Sequence, residues 1–162
     1  MYAKHALRRA LRTGWWLGLL QLLFLSAVAR AQTGSAAADS LSGSASTLTT
    51  ASGIQYMVLT AGTGARPLPR SRVTVAYRGY LATGQLFDSS PANRPLRFRV
   101  GQGEVITGWD ELLPLLAVGT RVKAWIPARL AYGSRGVKGP DDNYIIPPNT
   151  DLVFMLELLS AR

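Results

Sequence analysis

Four stretches of this chain alternate apolar and polar residues at period two, and only one repeats at helical spacing. Val73, Val75 and Tyr77 alternate with Thr74, Ala76 and Arg78; Leu96, Phe98 and Val100 alternate with Arg97 and Arg99. Val122, Ala124 and Ile126 alternate with Arg121, Lys123 and Trp125, and Leu152, Phe154, Leu156 and Leu158 close the chain at the same period. Successive side chains on a strand point to opposite faces, so each stretch predicts a half-buried strand with one wet face. Ile54–Leu59 adds another strand, and Ala82-Thr83-Gly84 reads as a hairpin turn. The helical exception is Trp109, Leu112, Leu113 and Leu116, at i, i+3, i+4 and i+7. Thr107-Gly108-Trp109-Asp110 fits a capping box before it. Pro114 has no N–H to give to the Asp110 carbonyl, so the helix should end or kink near Leu113. The expected fold is α+β, a curved five- to six-stranded antiparallel sheet wrapped around one short helix.

These signals occupy residues 51–162, and the rest of the chain differs in kind. Lys4, Arg8, Arg9 and Arg12 precede an apolar run from Gly14 to Ala29 that ends in Ala29-Arg30-Ala31. A basic start, a short apolar run and small residues at both recognition positions predict a cleaved export signal over residues 1–31. The run falls short of the roughly 20 residues of a membrane span, so an uncleaved inner-membrane anchor is the competing reading. Arg8-Arg9 is a weak twin-arginine feature, and the general secretory route fits better. Residues 32–50 are almost all Ser, Thr, Ala and Gly, which predicts a flexible linker unable to offset its ordering entropy. The expected product is an exported monomer, periplasmic or extracellular.

Net charge is +9, with 18 Lys and Arg against 9 Asp and Glu. Five of those bases and none of the acids lie in the first 31 residues. The remainder looks like an ordinary solubility charge, so no nucleic-acid partner is expected, and a membrane only if the leader is retained. There is no cysteine, and the single histidine is His5, inside the leader. Disulfide scaffolds, cysteine or histidine metal sites, thiol nucleophiles and histidine acid–base chemistry are therefore excluded from the folded part. Carboxylates, hydroxyls, aromatics and backbone remain.

Several large residues stand beside turns instead of in mid-strand. They are Tyr77, Phe87-Asp88-Ser89-Ser90, Val105-Ile106 before Trp109, Tyr132-Gly133, and Ile145-Ile146 before Pro147-Pro148. Tyr77-Arg78-Gly79, Phe87-Asp88-Ser89-Ser90, Val105-Ile106-x-Gly108-Trp109, Val118-Gly119, Ala131-Tyr132-Gly133, Ile146-Pro147-Pro148 and Leu152-Val153-Phe154 follow one another in a familiar order and spacing. In this the chain resembles FKBP-type peptidyl-prolyl cis-trans isomerases over essentially all of residues 53–162.

The resemblance implies catalysis of X-Pro rotation without metal or cofactor, on proline-containing unfolded or nascent polypeptides, and binding of rapamycin-type macrolides. It places Trp109 as the pocket floor, with Tyr77, Phe87, Val105, Ile106 and Phe154 as walls. Asp88 matches the carboxylate near the amide, Tyr132 the hydroxyl that donates to a substrate carbonyl, and Ile145 and Ile146 the flap side. Leu96 stands where the family usually has an aromatic wall. The segment Ser134 to Tyr144 is longer and more charged than in small members, and its Gly, Pro and charged residues suggest a mobile, solvated loop. The chemistry is consistent with the residue inventory. The barrier of roughly 18–20 kcal/mol comes from amide resonance, and an apolar pocket tolerates the less dipolar twisted amide better than the planar one. A non-catalytic FKBP-like chaperone or docking module is the alternative. A carbohydrate-binding module resting on Trp125 is a weaker one. Gly101-Gln102-Gly103-Glu104-Val105-Ile106 fails the dinucleotide pattern at Ile106.

Overall fold

The computed structural model describes residues 46–162; the expected leader and most of the expected linker lie outside the described residues. The strands are β1 (Thr47–Thr49), β2 (Gln55–Thr60), β3 (Arg72–Leu81), β4 (Leu86–Ser89), β5 (Leu96–Arg99), β6 (Arg121–Ile126), β7 (Val137–Lys138), β8 (Tyr144–Ile146) and β9 (Leu152–Ala161). Among the described residues the single α-helix, α1, is Thr107–Leu112. The main sheet runs β1-β2-β6-β9-β3-β4, with β5 also on β3, and all its pairings are antiparallel.

That sheet has seven strands where five or six were expected. Part of the difference lies in β3, which is ten residues long. Its far edge holds both β4, opposite Arg78–Tyr80, and β5, opposite Arg72–Val75. The other addition is β1, which falls inside the expected linker, ahead of the Ala51 boundary. All three of its residues are exposed, so it joins by backbone pairing to β2 and carries no burial signal.

Alternation decides what enters the core. Val73, Val75, Val122, Ala124, Ile126, Leu152, Phe154, Leu156 and Leu158 point inward and are buried. α1 lies against this face with Trp109 and Leu112 buried. At Leu113 the helix gives way to a 3-10 turn, Leu113–Leu115, with Pro114 in its first turn, as the missing N–H requires. Leu116 is buried but has left the helix, its backbone being extended. The capping box does not form. Ile106 occupies the N-cap with no side-chain cap, and the Asp110 carboxylate instead accepts N–H bonds from Gly101 (2.8 Å) and Gly103 (2.9 Å). Asp110 thereby ties down the loop that delivers Val105 and Ile106.

The segment from Ser134 to Tyr144 is built, contrary to the expected mobile loop. A 3-10 turn over Gly133–Arg135 leads into the β7–β8 hairpin, whose tip is closed by Gly139 N–H donating to the Asn143 carbonyl at 2.8 Å and by a Lys138–Asp142 ion pair at 2.7 Å. Val137 and Ile145 pack on the core and Ile146 is buried within it. The apolar residues flanking the charged tip supply the burial that composition alone conceals.

Candidate functional site

Trp109 enters from the first turn of α1 and meets three rings. Tyr77 lies edge-on at 5.0 Å between centroids, Phe154 edge-on at 5.2 Å, and Phe98 tilted at 6.1 Å. Phe87 meets Phe154 edge-on at 5.7 Å. Edge-to-face contacts of this kind suit the ring quadrupoles and add to the burial itself. Strand register explains the gathering. Gly79 pairs with Phe154 on β9 and with Asp88 on β4, which brings Phe87 and Phe154 over a residue with no side chain. A Cβ on Gly79 would stand 2.6 Å from the Phe87 ring and 2.7 Å from the Phe154 ring.

Tyr77 donates its hydroxyl to Asp88 Oδ2 at 2.6 Å, and the Ser89 N–H donates to Oδ1 at 2.8 Å. Ser90 holds the Tyr77 backbone, its Oγ accepting the Tyr77 N–H at 3.0 Å while its own N–H donates to the Tyr77 carbonyl at 3.0 Å. Burial, first, and the hydrogen bond and charge of Asp88, second, push the Tyr77 phenol well above its ordinary range. Tyr132, before the Gly133–Arg135 turn, is 37% exposed. Its phenol is also raised, by burial first and then by the Asp88 charge. Both phenols therefore keep their protons at neutral pH, and Tyr77 donates its own in a hydrogen bond to the Asp88 carboxylate.

Val105, Ile106 and Ile145 are partly buried against the same core, and Ile146 is buried. Leu96 stands on the inward face of β5, opposite the buried Val75. It is 37% exposed at the start of β5, whereas Phe98, two residues on, reaches Trp109. Three contributors escaped the sequence reading: Phe98, Ser90 and Asp110. Phe98 was legible, because it shares the inward face with Val100 and the period-two pattern makes it the mid-strand member. The two polar clamps were not, since they bond backbone seven to thirteen residues away, outside any turn or helix spacing. The Trp109 Nε1–H finds no acceptor among the described residues, and neither does the Ser71 hydroxyl. Among the described residues no group of three or more His, Cys, Asp or Glu could hold a metal ion.

A short helix closing a curved antiparallel sheet, with a buried indole ringed by aromatics and a Tyr–Asp pair beside it, defines the FKBP class of fold. The family profile for FKBP-type peptidyl-prolyl cis-trans isomerase matches residues 64–159. Drosophila melanogaster peptidyl-prolyl cis-trans isomerase Fkbp12 is 45% identical over 112 residues, 68% of this chain and 99% of that protein. The outer membrane protein MIP of Legionella longbeachae is likewise 45% identical over 112 residues, but the match spans only 45% of its length. The structure of FkpA from Escherichia coli superposes with a TM-score of 0.63 at 41% identity, covering 72% of this chain and 51% of that one. AtFKBP13 gives a TM-score of 0.66 at 32% identity and is covered to 99%. The chain belongs to the FKBP-type peptidyl-prolyl cis-trans isomerase family. It spans about half the length of the Legionella and Escherichia relatives.

Proposed function

We propose that this protein accelerates cis-trans rotation about X-Pro bonds of exported polypeptides, with the proline ring seated on Trp109. The observation that carries the reading is the indole floor, edged by Tyr77 and Phe154, next to the 2.6 Å Tyr77–Asp88 hydrogen bond. Phe87, Val105, Ile106 and Phe154 exclude water from the prolyl amide. Twisting the amide localises the nitrogen lone pair and reduces the carbonyl dipole, so desolvation opposes the planar state more than the twisted one. Lowering the barrier by about 5 kcal/mol gives nearly four decades of rate. Tyr132 donates to a substrate carbonyl and holds the peptide. Asp88, fixed by Tyr77 and the Ser89 N–H, lies beside the twisting amide. Ile145 and Ile146 form the flap side, and a rapamycin-type macrolide occupies the same pocket as the proline. No step transfers a proton or forms a covalent bond.

Export rests on the basic and apolar composition of residues 1–31 and on the likeness to a relative named an outer membrane protein. A protease-coupled assay tests the catalytic reading. Leu-Pro tetrapeptides should turn over faster than Glu-Pro ones, because the apolar walls offer a charged side chain no partner. A rate equal to the spontaneous one on every peptide would leave the alternative, a non-catalytic binding module.

A further inference from the structure

The outer face of the main sheet is strongly basic, which a count along the chain conceals. Arg72 on β3 pairs with Arg99 on β5 and exchanges both backbone hydrogen bonds with Arg162 beyond the end of β9, at 2.7 and 2.9 Å. Three arginines therefore share one rung and one face. Arg97 lies on that face in the next same-sided rung, opposite Thr74. Farther along, Arg78 and Lys123 flank Met155 from either side, and Arg121 stands opposite Glu157. Seven of the thirteen Lys and Arg after residue 46 lie on this face, against one of the eight Asp and Glu.

Like charges directly across a rung are destabilising, and little relieves them here. The only ion pairs among the described residues are Arg121–Glu157 at 3.5 Å and Lys138–Asp142. Arg72, Arg97 and Arg99 thus have no carboxylate of a described residue within ion-pair range. They instead line a recess of about 320 Å³, together with Phe98 and Glu104, which shares no residue with the Trp109 site apart from Phe98.

We propose that this face docks on an anionic phospholipid bilayer. The cations spread over four adjacent strands, from β6 through β9 and β3 to β5, a two-dimensional array that suits a plane of headgroups better than a single threaded strand. At the other end of the face, Trp125, Val153 and Tyr80 share one rung, half-buried, with Lys123 Nζ 4.9 Å from the Trp125 ring centroid. Tryptophan and tyrosine next to basic residues match the membrane–water interface. Trp109, Tyr77 and Asp88 lie on the opposite, inward side, so docking leaves the peptide site open. This contact is separate from the leader and from catalysis.

The test uses residues 43–162, which contain the whole sheet and core; the fly relative, covered to 99% by the matching stretch, shows that such a domain stands alone. Sedimentation with vesicles of 30 mol% phosphatidylserine in phosphatidylcholine should capture the protein, and pure phosphatidylcholine should not. Capture should weaken steeply with salt. The triple variant Arg72→Gln, Arg97→Gln, Arg99→Gln should lose affinity on the order of a hundredfold, at about fivefold per cation, with tetrapeptide turnover retained as evidence of folding. Removing three cations from outside the sheet, Arg66→Gln, Arg94→Gln, Arg135→Gln, should cost much less. Equal losses from the two triples, equal binding to uncharged vesicles, or tighter binding to single-stranded DNA or heparin than to the anionic vesicles would each overturn the proposal.

Discussion

Trp109 and Tyr132 differ in what surrounds them, and the difference separates their roles experimentally. The Trp109 indole is 3% exposed and touches three rings, so Trp109→Ala removes part of the core and, on the proposed function, the seat of the proline ring. It should cost about 3–5 kcal/mol of stability and abolish measurable turnover. Tyr132→Phe removes a hydroxyl with no intramolecular acceptor among the described residues. It should shift the denaturation midpoint little, while weakening peptide or macrolide binding by one hydrogen bond, about 0.5–1.5 kcal/mol. Equal destabilisation by the two changes would mean that Tyr132 is a packing residue. Tyr77 is read by pH. Its phenol, raised first by burial and then by Asp88, holds its proton more tightly folded than unfolded. That contribution is complete below the unfolded value of about 10 and is lost as pH climbs past it toward the folded value. Urea midpoints should fall above about pH 10 more steeply in the native protein than in Tyr77→Phe, the other alkaline groups being common to both. Parallel curves would refute the assignment. At this scale the motif order pointed to the aromatic set, Asp88 and Tyr132 by kind and spacing. Leu96 and Phe98 share a strand face, and only three-dimensional packing shows that Phe98 is the one against the indole.

The β7–β8 hairpin divides into a packed base and an exposed tip. Gly136 enters it at φ 59°, a left-handed conformation that costs other residues energy, and a Cβ there would meet the Pro148 nitrogen at 2.9 Å. Gly136→Ala should therefore loosen the hairpin and lower activity through Ile145 and Ile146, at about 1–3 kcal/mol of local strain. Replacing residues 139–143 by a two-residue turn should spare tetrapeptide turnover, since Pro140, Asp141, Asp142 and Asn143 are exposed. Deleting all of 134–144 should not, because Val137 packs on the core from within that span. If the full deletion stays fully active, the hairpin takes no part in the pocket. The helix and the long strands were legible because their apolar residues repeat at one period. The hairpin was not, since its two short strands alternate too briefly to register between glycines and charges. The capping box failed for a related reason, because Asp110 had a better use across the loop.

Across the whole molecule, strand order is the least local property, and nothing in the sequence states that β9 lies between β3 and β6. Alternation placed these strands in a sheet; their neighbours follow from length and burial, with the ten-residue β9 long enough to pair on both sides. The first strand is the extreme case, since its attachment is purely to backbone and adjoining polar groups. β1 pairs Thr47, Leu48 and Thr49 with Met57, Tyr56 and Gln55, and Thr50 then closes the turn. The Thr50 N–H donates to the Ile54 carbonyl at 2.9 Å, and its Oγ1 accepts the Ile54 N–H at 3.1 Å. Starting the chain at Ala51 deletes all of these and uncovers the β2 edge, yet leaves the buried Ile54 side chain in place. Exposed hydrogen bonds contribute modestly, so the loss should be about 1–2 kcal/mol, a fall in Tm of roughly 5–10 °C. The bare β2 edge should also raise the tendency to associate at high concentration. Trp109, Tyr77 and Phe154 sit on α1, β3 and β9, with β6 between β9 and the uncovered strand. Turnover per folded molecule should therefore match that of a chain starting at residue 43. Thermal denaturation and tetrapeptide kinetics on the two chains decide the matter. Unchanged Tm would make β1 energetically idle, and lost turnover at a temperature where the shorter chain is fully folded would show that the edge strand shapes the site through the sheet.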